Sequence, residues 1–193
     1  MQRTQMYIDG QWTGAKDGRK LEIINPATEE AIEAVDYGGR EEAARALEAA
    51  SRAFQEWKNK TAWQRGELLR NIADRLRERA DDIAHAMTLE QGKPLAEAKA
   101  ETMASAANFE WFGEEAKRIE GRWAPTAIPD KRYLTMKHPV GVCAAISPWN
   151  FPVLLQARKI APALAAGCTV VSRPASQTPL CLIKVFECIE EAG

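Results

Sequence analysis

Histidine is nearly missing from this sequence, which has only His85 and His138 in 193 residues. The four cysteines, Cys143, Cys168, Cys181 and Cys188, show no C-x-x-C spacing. That combination suggests neither a zinc site nor a disulfide framework, and it predicts cysteines that are reduced and mostly buried. No apolar stretch reaches the roughly 20 residues that a spanning helix needs, and the opening MQRTQMYIDG lacks an apolar signal core. The expectation is a cytoplasmic protein with no membrane partner. Charge of one sign is also missing: the formal net charge is -1, with no long basic run, so the electrostatic footprint of a nucleic-acid binder is absent. Repeats and low-complexity segments are absent too. What is present is an ordinary globular composition, 46% hydrophobic and 27% charged, long enough to bury a real core.

Along the chain the hydrophobic period changes three times. The first forty residues carry short strand-like pieces, MYID, LEIIN and AIEAV, punctuated by Asp9-Gly10, Asp17-Gly18 and Asn25-Pro26. From Arg40 onward Leu47, Ala50, Phe54 and Trp57 recur at helical spacing. Thr61 and Gln64 form a capping box for a second helix, whose stripe Leu69, Ile72, Leu76 and Ile83 runs to a stop at Gly92-Lys93-Pro94, with a break expected near Asp81-Asp82. A further helix over about 95 to 119 puts Phe109, Phe112, Ala116 and Ile119 on one side and pairs Glu114 with Arg118. Glu90 and Lys93, at the Gly-Lys-Pro stop, are read as structural.

After Gly121 an alternating, proline-flanked run, 123–140, predicts an extended ribbon that is either an exposed edge or an arm. Then VCAAIS, a helix ending at Gly167, CTVVS, the loop RPASQT and a last helix make a βαβα pattern, which predicts a parallel, doubly wound sheet. In such sheets ligands bind beyond the carboxyl ends of the strands. Both unusual motifs, SPWNFP and RPAS, fall there.

Asn150 sits between Trp149 and Phe151 and is bracketed by Pro148 and Pro152. A neutral donor held that stiffly suits an oxyanion hole; the alternative is a turn whose Asn bonds its own backbone. The surrounding motifs favour the first. PWNFP, then ALAAGCT, then PASQTP, preceded by YIDGQW, NPAT and LEQGKP, resemble the aldehyde dehydrogenase superfamily across the whole chain and in the right order.

The resemblance implies a Rossmann-like nucleotide domain, a catalytic domain, and a protruding β-hairpin for oligomerisation to which the ribbon contributes. It implies a cysteine thiolate that attacks an aldehyde, hydride transfer to a nicotinamide, and thioester hydrolysis by water activated by a glutamate. Asn150 matches the amide that stabilises the oxyanion. None of the four cysteines matches the nucleophile, and the pyrophosphate turn, general base and nucleophile of the family lie downstream of PASQTP. The chain is therefore expected to be the N-terminal part of the fold, a truncated aldehyde dehydrogenase without its catalytic domain and inactive alone. A rival expectation is a dead assembly module that docks on full-length subunits through the ribbon.

Two further residue groups refine the resemblance. Arg158 lies two helical turns past Asn150, in an Ala157-Arg158-Lys159 context like that of succinate-semialdehyde dehydrogenases, where the arginine holds the substrate carboxylate; FEWFGEEAKRIEGR resembles the same subgroup. Otherwise it is an arginine turned to solvent. Arg173, Ala175 and Ser176 align with the adenosine-ribose loop, with Arg173 where the family usually has Lys; otherwise the segment is a basic loop before a helix. Where NAD-preferring members carry a Glu that repels a 2′-phosphate, this chain has Ser176, so NADP should be accepted alongside NAD, or preferred. Ile146, Ser147, Pro148 and Trp149 would line the nucleotide side. The implied organisation is 1–122 as a β lead-in and helical part, 123–140 as the ribbon and 141–193 as the first βαβα units. The implied partners are a carboxylated aldehyde, a nicotinamide dinucleotide and further copies of the subunit, with no metal.

Overall fold

The computed structural model describes residues 3–193. Two small hairpins come first. β1 (Met6–Ile8) and β2 (Gln11–Thr13) pair antiparallel across Asp9-Gly10. Both turn residues have positive φ, 56° and 72°, which is the backbone a two-residue hairpin of right-twisted strands requires. The strand QWT is one that the sequence reading passes over, because three residues are too few to show alternation. β3 (Lys20–Ile24) and β4 (Ala31–Asp36) form the second hairpin, with a register shift at Ile23/Ile24.

The helical section follows as α1 (Arg40–Trp57), α2 (Ala62–Glu78), α3 (Ala80–Gln91) and α4 (Leu95–Glu115). The expected capping box is present: Gln64 N–H donates to Thr61 Oγ1 at 3.3 Å, and Thr61 N–H donates to Gln64 Oε1 at 2.8 Å. The break between α2 and α3 falls at Arg79, earlier than Asp81-Asp82. Asp81 and Asp82 instead open α3, where acidic side chains oppose the positive end of the helix dipole. Gly92 closes α3 at φ 85°, a left-handed cap that a β-carbon would strain.

Two sequence expectations about side chains are corrected. Leu47 is 53% exposed, whereas Ala49 is buried and Ala50, Phe54 and Trp57 are half-buried. Glu114 does not pair with Arg118. The last turn tightens into a 3-10 turn over Ala116–Arg118, which shortens the reach to three residues; Arg118 pairs with Glu115, and Glu114 pairs with Lys117 and Arg70.

The main core lies among α2, α3, α4 and the two helices that follow, with Leu69, Leu76, Ile83, Met87 and Phe109 at its centre. α2 and α4 approach closely at Gly66 and Gly113, where a β-carbon on Gly66 would stand 2.5 Å from the Gly113 carbonyl oxygen. β5 (Arg122–Pro125) and β6 (Arg132–Thr135) form an antiparallel hairpin exposed along nearly its whole length. The predicted ribbon exists but is shorter than 123–140, since residues 136–140 join no strand.

β7 (Val142–Ile146), α5 (Pro152–Ala165), β8 (Thr169–Arg173) and α6 (Leu180–Ala192) complete the described chain. β7 and β8 pair in parallel from Val142↔Thr169 to Ile146↔Arg173, as the βαβα pattern predicts. This is the N-terminal part of an α/β, Rossmann-like architecture. Cys168, Cys181 and Cys188 are buried, but Cys143 is only half-buried. β7 has one strand neighbour among the described residues, so its other edge pairs with no strand there. No helix among these residues is long and apolar enough to cross a membrane.

Candidate functional site

The parallel register sets the site. Ile146 of β7 lies beside Arg173 of β8, and Ser147 N–H donates to the Arg173 carbonyl at 3.4 Å. The segment 147–151 and the loop 173–176 therefore leave the same end of the two strands, side by side. Ile146, Pro148, Trp149, Asn150, Arg158 and Arg173 are exposed, Ser176 is half-buried, and Ser147 and Ala175 are buried.

Asn150 is fixed through its backbone. Its carbonyl accepts from Lys93 Nζ at 3.0 Å and from Gln91 Nε2 at 3.4 Å, while its side-chain amide has no hydrogen-bond partner among the described residues. Phe151 caps α5 and Pro152 occupies the first turn, where the missing N–H costs nothing. Phe151 and Arg158, seven residues apart, stand on one face of this helix nearly two turns apart. Arg158 forms no ion pair among the described residues.

Both helix starts are plugged by protein carboxylates. Glu101 Oε1 accepts from Val153 N–H at 3.0 Å and Leu154 N–H at 3.1 Å at the start of α5. Glu90 accepts from Leu180 N–H at 2.7 Å and Cys181 N–H at 2.8 Å at the start of α6. Dinucleotide-binding folds ordinarily seat a pyrophosphate at such an N-terminus; here a glutamate occupies two N–H groups at each start. Side chains at this end also offer donors. Arg173 and Ser176 are joined by Tyr37 from the β4–α1 junction, whose phenol is held below its ordinary pKa by the Ser176 hydroxyl, then by Arg173. Arg19 lies over the Tyr37 ring at 5.8 Å. Hydroxyls beside guanidinium groups match ribose hydroxyls and a phosphate. The buried Ser147 Oγ, with no partner of its own, adds one more polar atom to the same end.

Three of the four thiols are shifted away from thiolate character. Burial pushes Cys188 up to about 11, raises Cys181 well above the ordinary thiol value and raises Cys143, whereas a reactive cysteine needs the opposite shift.

Tyr37, Gln91, Glu101 and Gln156 escape the sequence reading. Gln156, inside α5, donates to the Ala145 carbonyl at 3.1 Å and to Ser172 Oγ at 2.9 Å, fastening the helix to both strands. A lone glutamine in an apolar stripe is the one signal that could have drawn attention to it. Lys93, read as structural, does more than follow a helix stop, since it also grips the Asn150 carbonyl.

Comparison with known proteins gives a consistent picture. The sequence profile of the aldehyde dehydrogenase family matches residues 12–193. A glutarate-semialdehyde dehydrogenase of Pseudomonas aeruginosa is 51% identical over 191 residues, which is 99% of this chain and 40% of the relative. The NADP-dependent succinate-semialdehyde dehydrogenase of Escherichia coli is 47% identical with the same coverage. The crystal structure of a succinate-semialdehyde dehydrogenase from Burkholderia pseudomallei superposes with a TM-score of 0.97 at 46% identity, covering 100% of this chain and 40% of the other. The chain thus spans about two fifths of the length of these relatives.

Proposed function

The chain belongs to the aldehyde dehydrogenase family, and we propose that it forms the nucleotide-binding and oxyanion-binding part of an NAD(P)-dependent enzyme that oxidises a carboxylated aldehyde, of the succinate- or glutarate-semialdehyde kind, to the acid. The observation that supports this is that the segment carrying Asn150 and the Arg173–Ser176 loop leave the same end of the parallel strands, joined by Ser147 N–H to the Arg173 carbonyl. As a thiolate adds to the aldehyde carbon, the carbonyl oxygen gains negative charge, and the Asn150 amide donates to it. One such donor is worth about 3 kcal/mol of the barrier.

Arg158 receives the far carboxylate as a charge-assisted, two-pronged pair, which favours a dicarboxylic product over a neutral aldehyde. Arg173, Ala175 and Ser176, with the 146–149 segment, receive the adenosine side of the dinucleotide, which supplies the hydride acceptor when bound. Ser176 leaves room for a 2′-phosphate, so NADP is used as well as NAD. The thiolate and general base come from outside these residues, and the isolated chain is inactive. The exposed 122–135 hairpin, with Trp123 and Leu134 uncovered, supports association with further subunits.

The test is to express the complete product of the gene that encodes these residues and to follow nicotinamide reduction with succinate semialdehyde, glutarate semialdehyde and a neutral aldehyde of equal length. Oxidation of the carboxylated substrates with the higher kcat/KM supports the assignment; equal or better use of the neutral aldehyde contradicts it.

A further inference from the structure

Lys93 and Glu101 form an ion pair whose side chains are 8% and 1% exposed, directly behind the Asn150 turn. Every polar atom of the pair is engaged with that turn or with its partner. Lys93 Nζ bonds Glu101 Oε2 and the Asn150 carbonyl, and it lies 4.3 Å from the centre of the Phe151 ring. Glu101 Oε1 takes the N–H groups of Val153 and Leu154. The base of the arrangement is itself stiff. Lys93 stands between left-handed Gly92 and Pro94, and its N–H donates to Gln91 Oε1 at 3.0 Å while Gln91 Nε2 reaches the same Asn150 carbonyl.

A helix stop needs Gly92 and Pro94 but no buried cation. Desolvating two charges is expensive, and a well-packed apolar pair often holds a core as well. What an apolar pair cannot do is seize a carbonyl and two N–H groups at once. The Asn150 amide has no partner of its own among the described residues, so the place from which it can reach is set by its Cα–Cβ bond and hence by the backbone on either side of it, and that backbone is what the pair holds from Asn150 to Leu154.

We propose that Lys93 and Glu101 are positioning residues for Asn150, a buried clamp that aims its amide at the reacting oxygen; this rests on the assignment of Asn150 as the oxyanion donor. An amide free to swing must be reorganised at the moment charge develops, and a donor that reorganises loses much of its effect. The clamp therefore acts on the turnover step and not on substrate or nucleotide affinity.

A double-mutant cycle in the complete gene product tests it. Lys93→Met lowers kcat by about ten-fold or more, with KM for aldehyde and nucleotide within about two-fold. In an Asn150→Ala background the same change costs less than about two-fold, because the group it aims is gone. An equal loss in both backgrounds, or a loss confined to KM, overturns the clamp. Glu101→Gln keeps an acceptor for α5 and removes only the charge that holds Lys93, so it gives the same pattern where Lys93→Met does not fold. A readout independent of turnover comes from protein labelled with 15N-asparagine. The side-chain NH2 signals of Asn150, identified by their loss in Asn150→Asp, are narrow in the parent and broaden or move in both clamp variants; unchanged signals overturn the proposal even if the enzyme proves inactive. Asn150→Ala with undiminished turnover would instead defeat the oxyanion assignment, leaving the clamp to be judged from those signals.

Discussion

Glu90 and Glu101, eleven residues apart, lie beneath the first turns of α6 and α5, and each accepts two main-chain N–H groups. One short segment of the helical section thus fixes the start of both helices that follow the parallel strands. The motif LEQGKP and the residues just after it are the joint between helical section and nucleotide end.

The pH dependence of stability should carry the mark of Glu90. Burial raises its carboxyl from 4.5 to about 7, against the pull of the Cys181 and Leu180 N–H groups. Between these values the folded chain holds a proton that the unfolded chain has released, so the folded state loses stability as pH rises across that window. Glu90→Gln should flatten this slope between pH 4.5 and 7 in denaturant titrations. A slope unchanged by the substitution would contradict it.

Arg158→Ala should raise KM for a carboxylated aldehyde by roughly ten-fold to a hundred-fold, as expected for loss of a charge-assisted pair, and leave a neutral aldehyde nearly unaffected. Steady-state kinetics on both substrates decides it. Equal changes would show that Arg158 is only a solvated side chain.

Ser176→Glu should disfavour NADP by roughly ten-fold or more relative to NAD, since a carboxylate would face the 2′-phosphate. Tyr37→Phe removes the hydroxyl beside Ser176 and Arg173 and should weaken NADP more than NAD. The comparison is kcat/KM with each nucleotide, and strict NAD use by the parent would contradict the loop assignment.

Physical state offers a further check on the isolated 193-residue chain. Parallel strands are normally covered on both faces and flanked by neighbours, yet β7 and β8 form a two-stranded sheet here. An apolar cleft of about 960 Å³, lined by Val170, Val171, Leu182, Phe186 and the alanines of α1, opens beside β8. Self-association in sedimentation velocity is the expected outcome. A clean monomer at tens of micromolar would refute it.

The parts legible in sequence are those encoded by local chemistry. The Thr61/Gln64 cap, the Gly92 stop and the apolar strands around α5 each declare themselves within a few residues, so the order of the helices and of the parallel strands could be read directly, while the three-residue strand β2 could not. Contacts between distant segments could not. Glu101 reaches Val153 across 52 residues and Tyr37 comes to Ser176 from the β4–α1 junction, and no spacing rule connects them. Leu47 misleads for the opposite reason: its hydrophobicity fits the stripe, but it stands exposed while Ala49 is the apolar residue of α1 that is buried.

The most direct measurement is the turnover number of the complete gene product with Asn150 replaced by Ala, on a carboxylated aldehyde at saturating nucleotide. Loss of an oxyanion donor predicts a fall in kcat of about a hundred-fold to a thousand-fold with the fold intact by circular dichroism. A kcat within about two-fold of the parent would contradict it.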